Sequence, residues 1–417
     1  MASTTTTTEE DFNTSWTEYC SSILLRLLAP LIPTNQQPRE QKQASAQVGG
    51  ATTLCVKTAP CSRISYQELI CLTWNFLGII VGREGMIVPP ALLRLEFKED
   101  LYVFGPLHGN LSSLITFLVR VGVLIDQRST HPQVPFAFAP ISSQFPGLIF
   151  LGDLCNLGPF SLETVLVCFL LKIWAPEKVW ILRGNHENPE TTGRRLMPDI
   201  APADRLKHLK HRLLLWSIAD YYDPSKAEQL ELSDRDVQLW TRIRNCFFFL
   251  PVAAIVNETI FCSHSGIVPS DLDFEFLDSL QPPFMSNAED ATDEERYLEH
   301  HLLWSSFYLS SGRPPPKSIL NPSGFGYTYS KTAFEAFMKR FGFRHLICSQ
   351  ESPKNDGYHV PHTGTLTAVT VFSSIAYNPQ LANGGSIAHV LSDGTFARIT
   401  LGVKDRIEMN MTRQFTE

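Results

Sequence analysis

The sequence predicts a layered α/β fold, and three observations predict it. Apolar strand-like runs alternate with helical periodicity from residue 101 to residue 187, in the order β-α-β-α-β. The runs lead into short polar or glycine-containing turns rather than into continuous helix. Residues able to do chemistry fall just after the apolar runs, where α/β sheets form their binding sites.

Taken in order, residues 1–14 form a Thr-rich polar tail. Segment 15–32, SWTEYCSSILLRLLAPLI, has the spacing of an amphipathic helix that can dock on the main domain or bind a partner, with docking preferred. Segment 33–53 is polar, Gln-rich and aperiodic, and reads as a linker or disordered loop. Residues 1–61 are therefore expected to be a partly disordered N-terminal extension, and 62–402 the folded body. Ser65 and Glu68 form an S-x-x-E capping box ahead of a helical pattern. LYVFG (101–105) leads into the helical NLSSLITFLVRVGVL (110–124), and GLIFLGD (147–153) into FSLETVLVCFLLKIW (160–174); KVWILRGNHE (178–187) comes next. Ser233 to Asp236 cap a further helix ending near Asn245, and the acidic stretch 288–301 reads as a solvated loop or helix face. Strand-like runs at 253–264, 345–351, 368–374, 386–393 and 395–401, with hairpin-like spacing among the last, suggest a second sheet that is mixed or antiparallel. Residues 403–417 are expected to be a C-terminal tail.

The chain of 417 residues suits one large α/β domain with extensions. A hydrophobic fraction of 44% and a charged fraction of 18% fit a sizeable core rather than a disordered chain. A net charge of −7 argues against non-specific nucleic-acid binding, so no nucleic-acid partner is expected. The nine cysteines are odd in number, contain no C-x-x-C pair and sit partly inside apolar runs, which reads as free thiols in a reducing compartment. The N-terminus lacks the basic and apolar regions of a secretory signal. The apolar stretches 19–32 and 69–82 are short for a bilayer, and Arg26 interrupts the first, so no membrane span is expected. The expected location is intracellular, in cytoplasm, nucleus or both.

His108, Asp153, Asn185–His186 and His264 each follow a different apolar strand. One such residue is an ordinary turn residue; four sets at equivalent strand ends point to one shared site. Imidazole, carboxylate and amide oxygen together suit a hard or borderline divalent metal.

In order and spacing, GLIFLGDLCNLG, VWILRGNHENPETT, LPVAAIVNETIFCSHSGIVP, LLWSS and SGFGYTYSKTAFEAF resemble the blocks of the phosphoprotein phosphatase family of serine/threonine phosphatases, nearest the type 1 branch. The resemblance covers residues 62–402. It implies a calcineurin-like metallophosphoesterase fold, a central β-sandwich flanked by helices, with two metals activating a water for in-line attack on phosphorus. It further implies that Asp153 bridges the metals, that His108 belongs to the first metal, that Asn185 and His264 belong to the second, that His186 is the general acid, and that Tyr377 lies near the substrate groove.

The departures from that pattern carry equal weight. Where the family has G-D-x-H-G, this chain has Gly105, Pro106, Leu107, His108 and Gly109, so Pro106 replaces a metal-ligand aspartate. In G-D-x-V-D-R-G, the aspartate that orients the catalytic histidine and the phosphate-clamping arginine are here Asn156 and Leu157. A second expected arginine is Ser323, and Gln350 replaces a histidine ligand of the second metal, to which it can offer an amide oxygen. Asn156 is expected to accept a hydrogen bond from His186. The expected cofactor is at most one divalent metal (Mn, Fe or Zn), weakly held.

The expected function is that of a pseudophosphatase, a phosphatase fold acting through protein binding. Its partners would be regulatory or scaffold proteins in a sheet-edge groove to which Phe396 and Ile399 contribute, unless those two are core residues. The alternative is an active phosphoprotein phosphatase acting on phosphoserine or phosphothreonine with an atypical site, using one metal, or two with substitute ligands from elsewhere; His345 and His359 lie close in sequence to Gln350, but each reads first as a satisfied surface histidine.

Overall fold

The computed structural model describes residues 9–28, 63–81, 90–131, 135–188, 191, 213–225, 231–280, 292–307, 318–321, 324–349, 356–362, 364–377 and 382–407. The expected linker 33–53, Ser323, Gln350 and the tail from 408 onward lie outside the described residues.

Helix α1 (Glu9–Leu28) is followed by α2 (Tyr66–Val81) and by strands β1 (Leu92–Leu95) and β2 (Leu101–Phe104). Next come α3 (Leu111–Arg120), the short pair β3 (Leu124–Asp126) and β4 (Phe136–Phe138), β5 (Gly147–Phe150), α4 (Ser161–Trp174) and β6 (Val179–Ile181). Helices α5 (Leu214–Tyr222) and α6 (Asp234–Phe247) precede the hairpin β7 (Ala253–Val256) and β8 (Ile260–Ser263). The chain continues through α7 (Phe274–Ser279), α8 (Asp293–Leu303), β9 (Ser306–Phe307), β10 (Ser318–Leu320), β11 (Tyr327–Tyr329) and α9 (Lys331–Phe341). It ends in β12 (His345–Ser349), β13 (Tyr358–His362), β14 (Thr367–Val371), β15 (Gly385–Val390) and β16 (Phe396–Leu401).

Two sheets face each other, ordered β1-β7-β8-β12-β14-β13 and β16-β15-β2-β5-β6. Strand alternation divides the core. In β2 and β5, Val103 and Ile149 point into the intersheet layer with Val256, Ile347 and Val369, whereas Phe104 and Phe150 point outward beneath α3 and α4. Helices α8 and α9 cover the other sheet through Leu298, Leu302, Phe334 and Phe337. The result is a β-sandwich with helices on both outer faces.

The local signals are read correctly at several points. The Ser65–Glu68 box starts α2, with Ser65 N–H donating to Glu68 Oε2 at 2.8 Å, and Ser233 and Asp236 cap α6 reciprocally. The N-terminal helix begins earlier than expected, residues 29–32 of the expected segment lie outside the described residues, and the helix packs against the main core through Cys20, Ile23, Leu24 and Leu27. Arg26 in this helix pairs bidentately with Glu68 of α2, at 3.0 and 2.6 Å.

Two sequence expectations need correction. Strands β15 and β16 do not build the second sheet; β15 returns to pair antiparallel with β2, so both sheets are mixed. Phe396 and Ile399 cannot share a groove, because they lie three residues apart on β16 and so face opposite sides. Each is half-buried, Phe396 against the intersheet layer and Ile399 against the helical side.

Candidate metal and phosphate site

Strands β2, β5 and β6 are mutually parallel, so the turns at their C-terminal ends emerge at one edge. The turns after β2 and β5 are tied together: Leu107 and His108 both donate backbone N–H to Asp153 O, at 3.0 and 2.8 Å. Gly109 N donates to Leu154 O at 2.8 Å. Non-glycine residues in left-handed backbone concentrate here, at His108, Asp153, Asn156 and Leu157, with φ of 49, 57, 67 and 66°. Such strain persists only where the surroundings impose it, and it gathers at functional sites. Gly152, with φ of 96°, lets the turns after β5 and β6 touch, because a Cβ there would run into the Gly184 backbone. Pro106 is buried in this frame and accepts a bond from Ser373 N–H at 3.2 Å, so the turn keeps its shape without an aspartate.

The structure brings His108, Asp153, Asn185, His186 and His264 together around one cavity of about 320 Å³. Leu157, Trp304, Phe325 and Tyr377 line it as well, and none of the described lining residues is lysine or arginine. His108, Asp153 and His186 have ligand atoms within 4.8 Å of one another. Among the described residues no other group of three or more His, Cys, Asp or Glu side chains has such spacing, and no second carboxylate joins this one beside Pro106. The rings of His345 and Phe396 lie 4.3 Å apart on β12 and β16, and neither His345 nor His359 lines the cavity.

The donor set fits a divalent cation at Asp153. His264 Nδ1 lies 2.8 Å from Leu151 O, a pure acceptor, so Nδ1 carries a proton and Nε2 is the nitrogen turned to the site. Nε2 lies 3.4 Å from Asp153 Oδ2. Two donors about 2.1 Å from one ion lie about 3.4 Å apart at a tetrahedral angle. Among the described residues, Asn185 Oδ1 is buried without a hydrogen-bond partner, as expected of an oxygen awaiting a cation. His108 Nε2 is farther from Asp153 Oδ2, at 3.8 Å.

Burial would raise the Asp153 carboxyl, but the adjoining histidines, His264 foremost, and the His186 backbone N–H donating to Asp153 Oδ1 at 2.9 Å hold it below the usual carboxylate value. Burial dominates at the imidazoles, lowering His186 despite Asp153 and pulling His108 down to about 3.

Glu187 has a structural part that the sequence reading did not assign, although it belongs to the GNHE block. Its buried carboxylate accepts N–H bonds from Asp153 (2.7 Å), Leu154 (2.8 Å) and Gly184 (2.8 Å), locking the turns after β5 and β6.

Asn156 does not accept from His186; it donates. Its Oδ1 is occupied by the Leu214 N–H at 2.9 Å, and its Nδ2 donates to Thr191 O at 3.1 Å. These two contacts fix the amide, so Nδ2 points a hydrogen at His186 Nδ1, 3.0 Å away. His186 must then be neutral, with its one proton on Nε2.

The sequence model for calcineurin-like phosphoesterases matches residues 101–349, the segment that carries these turns. The chain belongs to the calcineurin-like phosphoesterase family. Members of this family of metallophosphoesterases use divalent metal, in agreement with the donor set around Asp153. Among solved structures, the chain is similar to a serine/threonine phosphatase from Saccharomyces cerevisiae described as similar to human phosphatase PP5. The identity is 16%, the match covers 82% of this chain and 91% of that one, and the TM-score is 0.56, which shows a shared fold. A cold-active protein-tyrosine phosphatase from a Shewanella species matches at 15% identity over 76% of this chain and 83% of its own, with a TM-score of 0.44. Among the described residues, no helix is long and apolar enough to cross a membrane.

Proposed function

We propose that the protein is a serine/threonine phosphatase-like metallophosphoesterase with a catalytically impaired centre, acting by binding other proteins. The observation that carries this reading is the direction of the Asn156–His186 hydrogen bond. A histidine acid is effective as imidazolium, which needs an acceptor for its Nδ1–H. Here the Nδ1 position is met by an N–H of Asn156 at 3.0 Å, so the ring stays neutral and is a poor acid at Nε2. In a Ser-His-Asp triad the same exchange of carboxylate for amide, which imposes the wrong tautomer, costs roughly 10⁴ in rate.

Phosphate binding is weakened in parallel. Leu157 lines the cavity where the family pattern has an arginine, and an alkyl side chain donates nothing to a phosphoryl oxygen. Metal binding is reduced to at most one divalent ion (Mn, Fe or Zn), weakly held by Asp153, Asn185 and His264. His108 alone supplements Asp153 at the other position, since Pro106 adds no carboxylate. A bound ion would polarise a phosphoryl oxygen and acidify a water. The chain's own residues hold Asp153 rigidly through Glu187 and present an aromatic and aliphatic wall above it. Partner recognition fits an extended peptide along β16, the edge strand of its sheet among the described residues, beside Phe396.

Purified protein with added manganese is expected to show negligible hydrolysis of a generic phosphoester. Elemental analysis is expected to find no more than one metal per chain, and less in Asn185→Ala. Robust turnover that disappears in His186→Ala, or two tightly held metals, would overturn the reading in favour of an active phosphoserine/phosphothreonine phosphatase.

A further inference from the structure

A second cavity, of about 330 Å³, lies between α8, α9 and the loop after β8. His301 of α8 lines it, whereas Leu303 and Trp304, at the end of the same helix, line the metal cavity. Its walls are largely apolar, from Ile267, Val268, Phe337 and Phe341. The volume falls at the lower end of the range for small-molecule sites, enough for one or two rings.

Among the described residues, one polar atom in this wall is unsatisfied: His301 is 1% exposed, and its Nε2 has no hydrogen-bond partner there. The ring is held flat on Tyr327, with centroids 4.0 Å apart and planes 12° apart, so it cannot turn away. Its tautomer is set by its neighbours. Tyr329 hydroxyl lies 3.2 Å from Ile267 O and 3.5 Å from His301 O, and a carbonyl can only accept. With its proton given to Ile267 O, the nearer of the two, the phenol oxygen can accept from His301 Nδ1, so the hydroxyl makes two hydrogen bonds; donation to Nδ1 instead would leave Ile267 O without this bond and put an unpaired N–H on Nε2. With the proton on Nδ1, Nε2 is a bare acceptor. Burial, reinforced by His300, holds the ring well below its usual value, at about 3, so no second proton satisfies Nε2 near neutrality. A buried acceptor left unmade costs about 1–3 kcal/mol, which a ligand's donor can recover.

We propose that this cavity binds a small, neutral aromatic molecule carrying one N–H or O–H donor, of the indole or phenol class. The donor meets His301 Nε2 and the ring packs on the apolar wall. Neutrality is dictated by the described lining residues: none is a carboxylate, and the one guanidinium among them, Arg340, is committed to the carbonyls of Ser270 (3.0 Å) and Leu272 (2.8 Å). Entry is open, because Thr332 and Ala336 on α9 are exposed at the rim.

The test titrates the full chain with indole and with benzofuran, which has nearly the same shape but no donor, using ligand-observed NMR. Saturable binding of indole about tenfold tighter than benzofuran is expected, the worth of one hydrogen bond to a buried acceptor. His301→Phe keeps a ring over Tyr327 and removes the acceptor, so it should erase the difference. Should that variant fail to fold, Ala336→Phe at the exposed rim decides instead and should abolish binding of both. No saturable binding, equal binding of the two probes, or an indole preference that survives the variants overturns the proposal.

Discussion

Asn156→Asp tests the hydrogen-bond direction on which the functional reading rests. The substitution leaves the shape of the side chain unchanged and replaces the Nδ2 donor with an oxygen. Leu214 N–H continues to hold Oδ1 at 2.9 Å, so the new oxygen falls 3.0 Å from His186 Nδ1. A unit charge pair about 4 Å apart at an effective dielectric of about 20 is worth about 4 kcal/mol in favour of a protonated Nδ1. Against this, Thr191 O loses its donor at 3.1 Å and faces a carboxylate, at a cost of about 1–3 kcal/mol. The balance of about 1–3 kcal/mol still favours Nδ1–H, by about fivefold to about 150-fold. Histidine-selective ¹⁵N NMR reads the ring nitrogens directly. In the wild-type protein His186 should carry its proton on Nε2 alone; in the variant Nδ1 should be protonated. A wild-type signal already showing Nδ1–H, or a variant indistinguishable from wild type, would refute the argument. Phosphoester turnover should rise in the variant by less than about 10⁴-fold and stay low, because Leu157 still offers phosphate nothing.

Two further substitutions probe the scaffold. Arg26→Ala removes a bidentate pair whose side chains are 2% and 14% exposed, and should destabilise the protein by roughly 2–4 kcal/mol in urea unfolding at pH 7. Burial would raise Glu68, but Arg26 and Ser65 outweigh it and hold it below 4.5. Its contribution is therefore full above 4.5 and is lost as pH falls through the lower folded value, and Arg26→Ala should flatten that acid limb. Lys172 is buried with its ammonium 3.6 Å from the Trp180 ring centroid and is pulled from 10.5 to about 7 by burial, against the opposing effect of Glu177. Between those two values the unfolded chain binds the extra proton, so stability rises with pH across that window. Lys172→Met should stabilise the protein by about 1–4 kcal/mol at pH 6 and by less at pH 9. Destabilisation at pH 6, or an unchanged pH slope, would contradict this account.

The sequence by itself determined which residues meet. His108, Asp153, Asn185 and His186 come just after hydrophobic strands that run parallel in one sheet, which delivers their turns to one edge, and His264 comes just after β8 of the facing sheet. The capping boxes at Ser65 and Ser233 were legible for a similar reason, since a cap and its partner lie within one helical turn. Tertiary structure alone decided what those residues can do. Asn156 reads as an acceptor in sequence; it becomes a donor because Leu214 and Thr191, 58 and 35 residues away, occupy its other hydrogen-bonding positions. The return of β15 to β2 depends on a pairing across nearly 290 residues (Ala388 with Val103), which no local periodicity encodes. Phe396 and Ile399 look alike as apolar residues of one run, yet the pleat sends them to different layers. The bare nitrogen of His301 exists only because Tyr329 has already given its proton to Ile267. Periodicity reports which face of an element is buried. The sense of a hydrogen bond depends on every neighbour that folding brings to it, and those neighbours are distant in sequence.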